Sequence, residues 1–162
     1  MNNKGFTLTE LTVTLALLGI MSAISIPSYF SWLPRHRLQT SVRHIYDDMN
    51  MARSRAVKTN ADIGIQFIPS NETYRIFIDA NQDQTYDTGD DDLSTGTLEN
   101  DVDITGSTFT SDTYGFNSRG MSAGTTGEVR LTNPSGLFLG VRVNTSGCLE
   151  IITSTDGGTT WG

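Results

Sequence analysis

Residues 6–30 form an almost unbroken apolar run, and a single acidic residue, Glu10, lies near its start. The run follows a short polar beginning, Met1-Asn2-Asn3-Lys4-Gly5. Wound as a helix it is about 37 Å long, enough to cross a bilayer. A carboxylate in such a segment opposes insertion by roughly 2.5–3.5 kcal/mol and is seldom kept without a partner. The run therefore commits the start of the chain to a helix that leaves water, and Glu10 calls for a positive group. Two simpler explanations compete. In a secretory signal peptide, Lys4 would be the positive region and Ala23-Ile24-Ser25 the cleavage site. Glu10 inside the apolar stretch, and Ile26, Tyr29, Phe30 and Trp32 beyond the site, count against that. A plain membrane anchor explains the length, but not Glu10 or the glycine just before the run.

Residues 6–58 read as one long helix. Pro27 and Pro34 each remove a backbone donor and clash with the preceding turn, so kinks or a short break are expected there. Beyond Pro34 the apolar positions are Leu38, Val42, Ile45, Met49, Ala52 and Ala56. Their alternating spacing of four and three makes one continuous stripe, which predicts packing on a following domain. Asn60 is expected to end the helix.

The pattern then switches to period two. Ile63, Ile65 and Phe67, then Tyr74, Ile76 and Ile78, flank Pro69-Ser70-Asn71 and read as a hairpin. Further strands are expected at Val102–Thr105, Thr113–Asn117, Glu128–Thr132, Leu137–Val143 and Cys148–Thr153. Asn133-Pro134-Ser135-Gly136 and Asn144-Thr145-Ser146-Gly147 are turn signals. The expected fold class is α+β: a long N-terminal helix with a hydrophobic first half, packed on an antiparallel β-sheet head.

The glycine before the run, Phe6 after it and Glu10 resemble the leader and N-terminal helix of type IV prepilins and type II secretion pseudopilins. The head's strand order, with Phe116-Asn117-Ser118-Arg119-Gly120 ahead of a polar loop and three short strands, resembles the GspH/FimT group. The resemblance implies a leader at residues 1–5, cut by a prepilin peptidase between Gly5 and Phe6, and methylation of the new Phe6 amine. It implies a transmembrane and fibre-core helix at 6–33, an amphipathic helix at 34–60 and a periplasmic head at 61–162. Glu10 then becomes the fifth mature residue, and Pro27 sits where many such helices carry a proline. A neighbour's Phe6 amine can neutralise Glu10 inside a fibre, where opposite charges attract strongly in low dielectric. The implied partners are other pseudopilins or pilins in a helical fibre, the peptidase and an inner-membrane assembly platform.

Charge is unevenly spread in a chain of net charge −7. Residues 34–58 hold six basic residues against two acidic, a net of +4; residues 59–162 hold four against fifteen, a net of −11. The basic stretch suits lipid headgroups or an acidic surface on the next subunit. The acidic head argues against non-specific nucleic-acid binding, which needs phosphate neutralisation. DNA-binding members of the resembled family carry a glycine-arginine motif near the last strand, where this chain reads Gly147-Cys148-Leu149-Glu150.

One internal motif carries possible chemistry. Asp79, Asn81, Asp83 and Asp90 stand at positions one, three, five and twelve of a twelve-residue loop, with the Thr85 carbonyl at seven. These are the oxygen positions of a calcium loop. Gln84 replaces the usual glycine at six, and Asp90 reaches less far than Glu. The competing reading is a solvated acidic hairpin loop, which Asp and Asn favour in any case. Calcium is the one cofactor the sequence raises. Catalysis finds no support: His36 and His44 lie eight apart on the helix without a serine or cysteine nucleophile beside them. Cys148, the lone cysteine, permits no intrachain disulfide and is expected to fill a strand position. Trp161 either docks on the head or meets a neighbour.

Two functions follow from the resemblance. One is a minor pseudopilin of a type II secretion system, a structural subunit of the pseudopilus that exports folded proteins. The other is a minor pilin of a type IV pilus, acting in priming, adhesion or DNA uptake.

Overall fold

A computed structural model describes residues 5–124 and 126–162. Helix α1 spans Leu8–Thr59 and is followed by eight strands: β1 (Ile63–Ile68), β2 (Thr73–Ile78), β3 (Asp91–Thr97), β4 (Asp103–Ser107), β5 (Thr113–Phe116), β6 (Gly127–Thr132), β7 (Phe138–Val143) and β8 (Leu149–Ser154). The chain divides into two compact units, one ending at Leu33 and the other running from Pro34 to Gly162.

In the first unit the large apolar side chains are mostly exposed. Leu11, Leu15, Leu18 and Ile24 are 55–70% exposed. The helix carries an 18-residue stretch of mean hydropathy 1.8 and is long and apolar enough to cross a membrane. So large an uncovered apolar surface is unstable in water and needs lipid or other protein around it.

The second unit has a core of its own. Two four-stranded antiparallel sheets, in the orders β3-β2-β1-β5 and β4-β6-β7-β8, share one apolar cluster with the helix. Leu38, Val42, Ile45, Met49, Ala52 and Ala56 are all at most 1% exposed. They meet Ile63 and Ile65 of β1, Tyr114 and Phe116 of β5, Val129 and Leu131 of β6, and Val141 and Val143 of β7. Each large side chain buried this way contributes about 1.5–3 kcal/mol. Polar ties fix the helix in register. The Glu99 amide donates to Ser41 Oγ at 3.0 Å, the Tyr74 hydroxyl to Asp48 at 2.5 Å, and Arg53 Nε to the Gly120 carbonyl at 2.7 Å. Arg37 and Asp101 form an ion pair. Burial, with the Asp48 carboxylate beside it, pushes the Tyr74 phenol well above its ordinary value.

The helix ends where its sequence stops it. Asn60 takes φ 52°, and the Ala61 amide reaches back to the Ala56 carbonyl at 3.3 Å, the long bond of a Schellman cap. The helix is not broken at Pro27 or Pro34, so the break expected there does not form. A proline in mid-helix deletes a single i→i−4 bond, and the turns on either side of each are kept.

Strand β3 has no counterpart in the sequence reading. Its residues, Asp91-Asp92-Leu93-Ser94-Thr95-Gly96-Thr97, are mostly exposed, because β3 lies at the edge of its sheet. An edge strand with few apolar side chains leaves no alternating pattern to read. Backbone pairing with β2, through a bulge at Ile76/Phe77, holds it in place. Gly96 is required there: a Cβ would lie 2.1 Å from the Tyr74 ring.

Candidate assembly and processing site

Gly5 and Phe6 are exposed at the start of the described chain, with Phe6 at 86%. Residues 1–4 of the expected leader lie outside the described residues. Glu10 is exposed and hydrogen-bonded within its own chain. Its carboxylate accepts from the Thr7 amide at 3.0 Å and the Thr7 hydroxyl at 2.9 Å, while the Glu10 amide donates to Thr7 Oγ1 at 3.2 Å. This is a capping box, in which the first and fourth residues of a helix start satisfy each other's free donors. Its signature, Thr7-Leu8-Thr9-Glu10, stands in the sequence, where the charge of Glu10 in an apolar segment masks it. Glu10 thus has a local role: it holds the helix N-terminus closed one residue after Phe6. Pro27 is exposed on the same apolar helix.

The loop between β2 and β3 contains the five residues that sequence spacing grouped as calcium ligands. Asp79, 3% exposed, accepts from the Asp83 amide at 3.2 Å and the Gln84 amide at 2.9 Å. Asn81 Oδ1 also takes the Asp83 amide, and Asp83 takes the Thr85 amide at 2.8 Å. Asp90 uses both oxygens, on the Ala80 and Asp87 amides at 3.0 Å each. Gln84 adopts φ 60°, the left-handed conformation that glycine supplies at position six of a calcium loop. The donor types and the turn fit that cation. The oxygens, however, are already engaged with amides, and among the described residues no group of three or more His, Cys, Asp or Glu is placed to hold a metal. The loop stands on its own hydrogen bonds, with Asp79 as its hub. Asp79→Ala is expected to destabilise the head by about 1–3 kcal/mol, because it leaves the Gln84 amide without an acceptor and the Asp83 amide with Asn81 alone. Thermal melting with and without millimolar calcium separates the two readings. An unchanged midpoint supports the hydrogen-bonded loop, and a rise that Asp79→Ala abolishes supports the cation.

The outer face of the second sheet carries a charge cluster that the sequence reading missed. Glu128 is 8% exposed, accepts from Arg130 Nε at 2.8 Å through one oxygen, and from Arg142 Nε at 2.9 Å through the other. Strand register brings these together: Glu128 lies directly opposite Arg142, and Arg130 is two residues along β6 on the same face. Trp161 covers the cluster. Its ring lies 5.2 Å from the Arg130 guanidinium and edge-on to Phe138, and its carbonyl accepts from Arg142 Nη2 at 3.2 Å. The tryptophan therefore docks on its own head, and Gly162 closes the tail by exchanging two backbone hydrogen bonds with Thr153.

Burial pushes the Glu128 carboxyl up, but hydrogen bonds and charge from Arg130 and Arg142 outweigh it and hold the pKa below the ordinary 4.5. Such a group stabilises the fold fully above its unfolded value, and that contribution is lost as pH falls through the lower folded value. Glu128→Gln is expected to lower stability by about 2 kcal/mol at neutral pH, the two arginines being partly screened by solvent. The wild type should also lose stability more steeply below pH 4.5 than the variant, as acid titration followed by near-UV circular dichroism reads.

Cys148 does not lie in a strand. It sits exposed in the turn before β8, with its amide donating to Asn144 Oδ1 at 2.9 Å. A sharp Asn144–Gly147 turn, with Gly147 at φ 74°, uses up the residues that would have continued β8.

Residues 41–147 match the family described as Type II transport protein GspH, and residues 1–26 match the prokaryotic N-terminal methylation motif. The chain belongs to the GspH family. The pilin-like protein PilA1 of Thermus thermophilus is 30% identical over 92 residues, 56% of this chain; the match spans 58% of that relative's length. Two solved structures share the fold. The minor pseudopilin EpsH from the type 2 secretion system of Vibrio cholerae superposes with TM-score 0.58 at 12% identity, covering 74% of this chain and 99% of EpsH. The type IV minor pilin FimU of Pseudomonas aeruginosa gives 0.56 at 15% identity, covering 72% and 89%. The GspH match covers the end of α1 and most of the head, and the methylation motif covers Gly5, Phe6 and Glu10.

Proposed function

We propose that this chain is a minor pseudopilin, a structural subunit of a type II secretion pseudopilus that supports export of folded proteins across the outer membrane. The observation that carries the reading is the start of the chain. Gly5 and Phe6 stand at the peptidase position of a methylation motif, ahead of a helix whose apolar side chains are uncovered. Membership of the GspH family supports the choice of machine. The precursor is held in the inner membrane with its head in the periplasm. The prepilin peptidase cuts after Gly5 and the Phe6 amine is methylated. An inner-membrane platform then moves the subunit into a helical fibre of pilin-like neighbours, where the apolar helix exchanges lipid for the helices beside it. The part is structural and performs no chemistry of its own.

A minor pilin of a type IV pilus is the second reading, favoured by the PilA1 relative and the fold shared with FimU. DNA uptake fits that reading poorly: the place of the arginine motif, Gly147-Cys148-Leu149-Glu150, is the turn and start of edge strand β8 and holds no arginine.

Intact mass and N-terminal sequencing of protein from native membranes test the pathway. A terminus at N-methyl-Phe6 is the expected result, and a terminus at Met1 or after Ser25 would remove the assembly reading. Deleting the gene then separates the machines: loss of exoprotein secretion with surface pili intact supports the pseudopilus, and the reverse supports the pilus.

A further inference from the structure

Strand β4 lies beside β6 at the edge of the second sheet, and its Gly106 stands opposite Arg130. A Cβ at Gly106 would meet nothing within 4 Å, so the absent side chain leaves open space beside Arg130. That space is a cavity of about 280 Å³. Thr105 and Ser107 flank Gly106 in its wall, Phe138 and Trp161 make it aromatic, and Arg130 is its one charged group among the described residues. The other side-chain donors of the wall are already committed. The Thr105 hydroxyl donates to the Arg130 carbonyl at 3.2 Å, the Ser107 hydroxyl to Asp112 at 2.6 Å, and Trp161 Nε1 to the Gly158 carbonyl at 2.9 Å. Arg130 is not fully committed. Its Nε and Nη2 grip one oxygen of Glu128, and Nη1 has no hydrogen-bond partner among the described residues. Charge is left over as well. Glu128 holds two arginines with one negative charge, which leaves this cluster at +1. Of the acids close in sequence to the wall, Asp112 is held by Ser107 and Asp156 by the Ser154 and Thr160 hydroxyls.

We infer that this cavity binds a carboxylate carried on a short apolar stem, the chemistry of a glutamate or aspartate side chain on a docked protein. The free side-chain donor that a ligand meets there is cationic, so the site selects an anionic acceptor. The planar guanidinium suits a carboxylate, and the rings of Phe138 and Trp161 take the stem and keep water from the ion pair. In such surroundings the pair attracts more strongly than in bulk water. A sugar ring, which needs several donors at once, finds them spent. The volume lies below the roughly 300–1,000 Å³ of sites for drug-sized molecules and fits a single side chain. The inference stands on the cavity alone and holds whichever machine the chain serves.

The test uses the full chain in detergent micelles, in a Trp32→Phe background that leaves Trp161 as the one tryptophan. Trp161 lines the cavity, so its fluorescence reports occupancy. The probes are acetyl-Gly-Glu-Gly-amide, its neutral twin acetyl-Gly-Gln-Gly-amide, and glucuronate as a sugar acid. A saturable change with a dissociation constant on the order of 1 mM is expected for the glutamyl peptide, and binding at least tenfold weaker for the other two. Arg130→Gln should abolish the preference for the glutamyl peptide. Arg142→Gln removes the same charge from outside the cavity wall and should keep the affinity within about threefold. Near-UV circular dichroism checks the fold of both. Should Arg130→Gln unfold, Arg130→Lys replaces it and is expected to weaken binding roughly three- to tenfold. Equal binding of the two peptides, no response from Trp161, tighter binding of glucuronate, or an equal loss in Arg142→Gln would overturn the inference. Every readout is taken on the isolated chain. A failure here therefore leaves the fibre reading standing, and an unprocessed N-terminus defeats the fibre reading without touching this site.

Discussion

Phe116→Ala lowers the stability of the head by about 4 kcal/mol, within the 3–5 kcal/mol range for emptying a fully buried aromatic site. Phe116 is 0% exposed and ends β5. Its ring stands edge-on to Tyr114 at 4.9 Å, Tyr114 lies 5.1 Å from Phe109, and Phe109 stacks on Phe67 at 5.9 Å. The first ring of that chain also borders the turn before β8, where a Cβ on Gly147 would come 3.4 Å from the Phe116 ring. The residue thus joins one sheet to the other. It also begins the Asn117–Gly120 turn, in which Asn117 Oδ1 takes the Arg119 and Met121 amides and Gly120 sits at φ 73° under Val57. A hole at Phe116 removes dispersion contacts on both sheets, and turns held by backbone bonds cannot collapse to fill it. Domains of this size are stable by about 5–15 kcal/mol, so the variant forfeits a large share of the total. Urea unfolding of the full chain in detergent, read by near-UV circular dichroism, measures it. A lower midpoint at unchanged slope is expected. A loss under 1 kcal/mol would mean that the two sheets do not depend on this ring.

Much of this was legible in the residues, and the reasons differ from element to element. The amphipathic half of α1 shows in sequence because burial dictates its periodicity: the fold buries the whole stripe from Leu38 to Ala56, with Ser41 beside it. The hairpin β1–β2 shows for the same reason, with period two. Strand β3 does not, because an exposed edge strand owes its place to backbone bonds and not to its side chains. The Glu128–Arg130–Arg142 cluster is invisible for a different reason. It depends on the β6–β7 register, and nothing local says that Glu128 will face Arg142. Trp161 belongs to the same class, a terminal residue whose place is set by a distant strand. The capping box at Thr7 and Glu10 is the opposite case. Its spacing is local and stands in the sequence, but a carboxylate at the head of an apolar run satisfies the pattern of a helix start and of a membrane charge alike.

Glu10→Gln separates those two roles. Glutamine at the third helical position still reaches the Thr7 amide, so the capping box survives, but the negative charge is gone. If Glu10 serves only the helix terminus, the variant assembles like wild type. If the carboxylate pairs with the Phe6 amine of a neighbour, the variant leaves that amine unpaired in low dielectric, a loss of about 3–5 kcal/mol per contact. At 1.4 kcal/mol per factor of ten, that is at least a hundredfold fall in the association constant. We expect the second result: Glu10→Gln is processed at Gly5 and methylated at Phe6, yet fails to enter fibres. Glu10→Ala should fail too, with a further loss of about 1 kcal/mol at the helix start. Thr7→Ala completes the comparison, since it weakens the cap by a similar amount and keeps the charge. Pull-down of sheared fibres, with intact mass to confirm processing, reads all three variants. Assembly by Glu10→Gln at wild-type level would assign Glu10 to the cap alone. The fibre would then have to neutralise the Phe6 amine by another group.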